Sequence, residues 1–264
     1  MIDSVSNMIS IQGMPRFSTT VILVRPRGKS TTFELLLVKR VRTLRVLPGF
    51  MVFPGGVIED GDLFASQVWL HQKPGIHVNN KPLRDSVPFE FELESANVLG
   101  QHVSRTELYW SLFATGVREL HEETGILMFA DLADDNGQMR KANATELWRQ
   151  TVGSTSSLPV ARYFGRRVTP PEVKYRFDAH YFVCLAPDRL QIQLNAQEIE
   201  SAQWVTPHEI LKQYESGAFL MAPPTVDAVL TLANHATIDE LFEKGFMPAQ
   251  VYDEQRVRDF ISRL

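Results

Sequence analysis

A single cysteine, Cys184, stands in the 264 residues of the chain, so no internal disulfide can hold it together. It falls in the apolar run Tyr181-Phe182-Val183-Cys184-Leu185 and reads as a buried strand residue rather than a reactive thiol. Nowhere does an apolar run approach the roughly 20 residues that span a bilayer, and Met1 to Gln12 lacks the basic start and apolar middle of a secretion signal. Basic residues are slightly outnumbered: 27 Lys and Arg against 31 Asp and Glu leave a formal charge of −4. That balance lacks the basic stripe of a nucleic-acid binder. His71, His77 and His102 are spaced as no metal site would be, and are expected at the surface or hydrogen-bonded. What remains is a soluble protein expected in a reducing, cytoplasmic setting, with neither nucleic acid nor membrane as a partner and its oligomeric state open. Hydrophobic residues make up 44% of the chain, enough for one sizeable core with elaborations.

Against these absences stands Arg118-Glu119-Leu120-His121-Glu122-Glu123-Thr124-Gly125-Ile126. Its carboxylates recur at i, i+3 and i+4, and a helix places all three on one face. Three anions that close repel one another unless something positive lies over them. Carboxylate oxygens suit hard divalent cations, and magnesium is commonly held by a few carboxylates plus substrate phosphates. A solvated acidic face would interleave more Lys or Arg than the lone Arg118.

Upstream, Phe53-Pro54-Gly55-Gly56-Val57-Ile58-Glu59-Asp60-Gly61-Asp62 is a short apolar strand end breaking into a Gly-rich turn, where the backbone can approach a ligand closely. Before it, Leu36-Leu37-Val38-Lys39-Arg40 leads to Arg45 and Gly49. Arg40 and Arg45 fall on a strand and the loop after it, a position from which guanidinium groups can clamp phosphate.

Together the helix and the Gly-rich turn resemble the Nudix box, G-x5-E-x7-R-E-U-x-E-E-x-G-U, where U is a bulky aliphatic residue. The second half matches at every fixed position through Gly125 and Ile126; the first matches at Gly56, with Asp62 where the family has Glu. Unbroken spacing puts the Arg at position 70, yet it stands at 118. Such a split box resembles the peroxisomal coenzyme A diphosphatases and their bacterial relatives, which carry a long insert there. The stretch from Leu36 to Gly56 also resembles the coenzyme A signature L-L-T-x-R-S-x3-R-x3-G-x3-F-P-G-G, with Val38 for Thr and Val41 for Ser.

The resemblance implies an α/β fold: a Nudix α/β/α sandwich with a mixed sheet, a long insert inside the box at about 63–113, and a helical C-terminal extension at about 219–264, all in one domain. The residue pattern agrees. Strands are expected over Phe17–Arg25, Phe33–Lys39, Ala161–Val168, Ala179–Leu185 and Glu198–Val205. The carboxylate helix is expected over Glu107–Thr124 and stopped by Gly125, and a second helix opens at Thr206-Pro207. Further helical patterns occupy Val226–Asn234 and Ile238–Lys244. Within the insert, Lys73–Phe91 reads as loop, and the alternation Phe89-Glu90-Phe91-Glu92-Leu93 as a possible short strand.

By the same resemblance, Glu119, Glu122 and Glu123 and the carbonyl of Gly55 hold Mg²⁺ or Mn²⁺, Arg118 anchors the loop structurally, and Arg40 and Arg45 bind substrate. Glu122 and Glu198 are the candidate catalytic groups; Glu200 is the alternative to Glu198 as general base. The expected substrate is coenzyme A or an acyl-coenzyme A, cleaved to 3′,5′-ADP and (acyl-)4′-phosphopantetheine. The alternatives are a pyrophosphatase acting on ADP-ribose, NADH or a nucleotide sugar, and a binding protein of the same fold without turnover. Ser262-Arg263-Leu264 conforms to a loose peroxisomal address, meaningful only in a eukaryotic protein.

Overall fold

The computed structural model describes residues 14–28, 31–71, 76–78, 81–128, 158–188 and 190–248. Five principal strands run in the order β11-β2-β1-β10-β9: β1 (Arg16–Pro26), β2 (Phe33–Arg40), β9 (Ala161–Val168), β10 (Phe177–Leu185) and β11 (Ile199–Val205). Two short strands complete the sheet, β3 (Met51–Val52) on β2 and β4 (Gly55–Val57) on β1. β1 and β10 are parallel, with Thr19 opposite His180, and the other pairings are antiparallel. The sheet is therefore mixed, as expected from the sequence.

Side-chain alternation along these strands feeds two cores. Val21, Leu23, Leu36, Phe182 and Cys184 face helices α1 (Asp60–His71) and α2 (Arg105–Thr124). Ile22, Val24, Leu35, Leu37 and Val183 face the opposite layer. That layer comprises α3 (Pro207–Glu215), α4 (Pro223–Ala233) and α5 (Ile238–Lys244), with Ile210, Val229 and Leu241 buried. The C-terminal helices thus form one whole face of the sandwich. Cys184 is fully buried, and burial pushes its thiol up to about 12, as a strand residue in a core should behave.

Helix ends follow local chemistry. α2 opens with a capping box in which the Ser104 hydroxyl accepts from the Glu107 amide and the Glu107 carboxylate accepts from the Ser104 amide. It closes at Gly125 in the left-handed region, φ 71°. Thr206 and Glu209 repeat the box at α3, with Pro207 in the first turn.

The insert departs from expectation. Leu63 lies inside α1 and Phe113 inside α2, so only residues 72–104 lie between the two helices. The intervening chain carries β5 (His77–Val78) paired with β6 (Lys81–Pro82), then a short 3₁₀ turn at Leu83–Asp85. A hairpin of β7 (Ser95–Val98) and β8 (Gln101–Ser104) follows, turned by Leu99 (φ 50°) and Gly100 (φ 81°). Both turn residues have positive φ, as a tight hairpin turn compatible with strand twist requires. The expected strand at Phe89–Leu93 does not form. Its alternation has another origin: the Phe91 amide closes a turn on Pro88, while the Phe91 ring is buried against Tyr109, Tyr163 and His180. Phe89 remains in solvent. His71 is exposed with Nδ1 3.1 Å from Arg84, and His102 is exposed on the hairpin, both as expected. The His77 side chain and Ser262–Leu264 lie outside the described residues.

Candidate active site

The carboxylate helix sits close on the sheet because of Gly116. A Cβ there would press into the side chains of Thr19 and Val21 on β1. The Thr19 hydroxyl also donates to the Leu112 carbonyl at 2.7 Å. This seating brings the C-terminal half of α2 against the Gly-rich turn and reunites the two halves of the motif. Gly56 is the second close approach, since a Cβ on it would collide with the Glu119 carboxylate. Only glycine lets that carboxylate lie against the backbone.

Beneath the carboxylates lies Arg118, 1% exposed. Its Nε donates to Asp62 Oδ1 at 3.0 Å, and one terminal nitrogen to Asp62 Oδ2 and the Val57 carbonyl at 2.9 and 2.8 Å. The other terminal nitrogen donates to Glu119 and Glu122, both at 2.9 Å. Asp62 itself also accepts from Thr115 Oγ1 and from the Glu59 amide. Arg118 is the anchoring residue expected, and its planar fork allows one side chain to hold the turn, the first helix and two carboxylates together. Burial acts to lower its pKa, but the Asp62 hydrogen bond and the surrounding carboxylates outweigh it, so the guanidinium stays charged.

Glu123, 1% exposed, takes a different position. One oxygen accepts from the Gly55 amide at 3.2 Å and the other from Arg40 at 3.4 Å. Glu119, Glu122 and Glu123 are all raised above the usual carboxylate range. Glu119 reaches about 7, through burial and then Glu122 repulsion working against Arg118. Glu123 reaches about 8, through burial and then repulsion from Glu119, with Arg40 and the Gly55 amide opposing and Glu198 adding to the rise. Among the described residues, no three such groups already surround one point as a finished cation cage. Glu119 and Glu122 turn toward Arg118, Glu123 toward Gly55 and Arg40. The donor set nonetheless fits a hard divalent cation: oxygen ligands only, more negative charge than the two guanidiniums balance, and a backbone held close by two glycines.

Glu198 is brought to this cluster by a loop tied to the end of α2. The Gln193 and Asn195 amides donate to the Thr124 and Glu123 carbonyls at 2.8 and 3.0 Å, satisfying groups that a helix terminus leaves open. The Asn195 side chain accepts from the Gln197 amide, and its carbonyl from the amides of Glu198 and Ile199. A bulge between Ile199 and Ser201 then separates the two base candidates. Glu200 turns out to Lys39 Nζ at 2.7 Å, whereas Glu198 is half-buried and close enough to repel Glu123. Arg45 lies exposed on the loop between β2 and β3, apart from the paired Arg40. Sequence reasoning passed over Glu59, whose charge bears on Glu122. It also passed over Asn195; an Asn two residues before a backbone amide that it caps is a turn signal that could have flagged the loop.

Comparison with known proteins agrees with this architecture. The model of the NUDT19 Nudix domain matches residues 12–170, well over half of the chain. The acyl-coenzyme A diphosphatase NUDT19 of Xenopus laevis is 24% identical over 263 residues, covering 86% of this chain and 67% of the relative. The human protein of the same name is 23% identical, covering 79% and 63%, and a putative nudix hydrolase 7 of Caenorhabditis elegans is 25% identical, covering 74% and 54%. This chain therefore spans about half to two thirds of the length of those relatives. A solved Nudix hydrolase from Alicyclobacillus acidocaldarius superposes with a TM-score of 0.66 at 23% identity, over 90% of this chain and 99% of that one. With the motif halves joined through Asp62 and Arg118 and the fold shared, the chain belongs to the NUDT19 Nudix domain family of Nudix pyrophosphohydrolases.

Proposed function

We propose that this chain hydrolyses the diphosphate of coenzyme A or its thioesters, releasing 3′,5′-ADP and (acyl-)4′-phosphopantetheine, with Mg²⁺ or Mn²⁺ as cofactor. The observation that carries the reading is the cluster of carboxylates beside the Gly55-Gly56 turn, with Glu123 buried, Glu119 half-buried and Glu122 exposed at its edge, all three raised above the usual carboxylate range. The coenzyme A-like run from Leu36 to Gly56 and the printed activity of the NUDT19 relatives support the choice of substrate.

Glu119, Glu122 and Glu123, with the Gly55 carbonyl, would hold the cation. Bound there, a divalent ion supplies charge neutralisation for the diphosphate and a more acidic water. The protein's own part is positioning. Arg118 fixes Glu119 and Glu122 from below, and the Gly55 amide fixes Glu123. Glu198 is the base: it takes a proton from the attacking water as the new O–P bond forms and the bridging P–O bond breaks. Glu200 is engaged by Lys39, which favours Glu198 for this role. Arg45, exposed on the β2–β3 loop, is free to meet the 3′-phosphate that distinguishes coenzyme A from ADP-ribose and NADH. A charge-assisted contact of that kind is worth roughly 1.5–3 kcal/mol, or about ten- to a hundredfold in affinity.

The test is incubation with Mg²⁺ and coenzyme A, dephospho-coenzyme A, ADP-ribose or NADH, with products identified by mass. Coenzyme A is expected to be cleaved in preference to its dephospho form, yielding 3′,5′-ADP. Faster cleavage of ADP-ribose, or equal treatment of the two coenzyme forms, would overturn the substrate assignment.

A further inference from the structure

Arg40 occupies a position different from that of Arg45. It ends β2, on the face shared with Leu36 and Val38, and its side chain runs toward the C-terminal end of α2. The guanidinium is divided between two protein acceptors. Nε donates to the Val46 carbonyl at 3.2 Å, inside the β2–β3 loop, and a terminal nitrogen donates to Glu123 Oε1 at 3.4 Å. The backbone of Arg40 closes the same loop, since its amide donates to the Phe50 carbonyl at 3.0 Å. Further constraint comes from the loop itself. Leu47 holds φ at 50° and Gly49 at 76°. The Phe50 amide returns to Leu47, and the Val41 amide is fixed on the Glu198 carbonyl at 2.9 Å. A non-glycine residue in the left-handed region persists only where its surroundings enforce it.

From this division of donors we infer that Arg40 is a positioning residue: through Glu123 and Val46 it locks a cluster carboxylate to the loop that carries Arg45, and it does not bind the substrate's phosphate. The inference rests on the coenzyme A diphosphatase reading and deepens it, separating the two arginines into a latch and a ligand. Two acceptors in different directions need the rigid fork of a guanidinium. An ammonium gathers its three donors on one atom at the end of a flexible stem, and so lacks the spaced, planar donors that hold both acceptors in fixed positions. Phosphate attraction, by contrast, survives replacement by another cation.

The experiment measures kcat and KM on coenzyme A and dephospho-coenzyme A for wild type, Arg40→Ala, Arg40→Lys and Arg45→Ala. Misplacing a cluster carboxylate and its loop is expected to lower kcat about ten- to a hundredfold in Arg40→Ala. The loss should fall alike on both substrates, leaving their kcat/KM ratio within about twofold of wild type. Arg40→Lys should remain close to Arg40→Ala, and Arg45→Ala should narrow the ratio. A collapsed ratio in Arg40→Ala with kcat intact, or full rescue by lysine, overturns the inference. Amide hydrogen exchange over residues 41–50 supplies a readout that needs no turnover. Exchange should rise in both Arg40 variants and stay at the wild-type level in Arg45→Ala; unchanged exchange in the Arg40 variants overturns the latch. If wild type cleaves neither coenzyme, the substrate reading fails, and the exchange result still decides the role of Arg40.

Discussion

Among the described residues, two clusters of ionisable groups are treated in opposite ways. Beneath the insert, Tyr163 Oη lies 3.0 Å from His180 Nδ1, and His180 Nε2 lies 3.3 Å from Asp178. Asp178 in turn accepts two bonds from Arg166, each 2.6 Å. Burial acts to raise Asp178, but the paired Arg166 hydrogen bonds and the adjacent His180 ring outweigh it and hold the carboxyl down at about 2. Phe91, fully buried, packs its ring against Tyr163 and His180, while Arg166 reaches toward solvent at the far end. At the end of α2 the balance is reversed. Three carboxylates share Arg118 and Arg40, and Glu119 and Glu123 are driven up to about 7 and 8. Compensated charge in the first place serves the fold; uncompensated charge in the second costs stability and is where we propose the cation is held.

The contrast can be attacked first at Glu123. Glu123→Gln keeps size and removes surplus charge, so turnover should fall by about three orders of magnitude while the fold is retained. Chelator should likewise abolish wild-type activity, and excess Mg²⁺ restore it. Steady-state rates together with a denaturant melt check both halves; activity within a few-fold of wild type removes Glu123 from the site. Arg118→Met is expected to act on stability instead. It removes the cation from Asp62, which is fully buried, and should cost about 3–5 kcal/mol in urea unfolding.

Asp178→Asn probes the compensated region. Because the folded-state pKa lies below its ordinary 3.8, the wild-type group contributes stability above about pH 4, lost as pH falls toward 2. The variant should lose about 2 kcal/mol at neutral pH, with a flatter acid limb in the melting profile. The carboxylate cluster titrates with the opposite sign. Glu119 and Glu123 are raised from an ordinary 4.5, so their contribution is complete below that value and disappears as pH rises through about 7 to 8. Metal-free protein should melt at progressively lower temperature between pH 5 and roughly 8 on this account, and Mg²⁺ should recover more at the upper end than at the lower. A metal-free profile flat across that range would show that these charges are already balanced.

The two regions also differ in how well the sequence discloses them. The carboxylate helix is legible because its chemistry is local: three Glu at helical spacing, one Arg and a terminal Gly sit within nine residues. The Ser104 and Glu107 box was equally local and marks the helix start at Arg105, two residues before the apolar periodicity alone suggests. Joining the two motif halves came from the resemblance to the Nudix box, and the structure supplies Asp62 as the carboxylate that Arg118 holds. The Tyr163–His180–Asp178–Arg166 run could not be read in the same way. It depends on the β9–β10 register, in which His180 faces Arg166 across the strands, and on an insert aromatic arriving from outside the sheet. Phe89-Glu90-Phe91 alternates as a strand would, yet the burial of one ring decided its conformation. The different settings of Arg40, paired to Val46 and Glu123, and Arg45, exposed, were invisible for a similar reason, since only the folded loop shows which donors are already used.

The central claim is that the surplus carboxylate charge on α2 holds a divalent cation, and direct binding tests it without reference to any substrate. Mn²⁺ titration followed by electron paramagnetic resonance at pH 8 would compare wild type with Glu123→Gln and Asp178→Asn. The account predicts saturable Mn²⁺ binding by wild type, undiminished by Asp178→Asn and weakened at least about tenfold by Glu123→Gln. Equal binding by wild type and Glu123→Gln, or no binding by wild type, would contradict it.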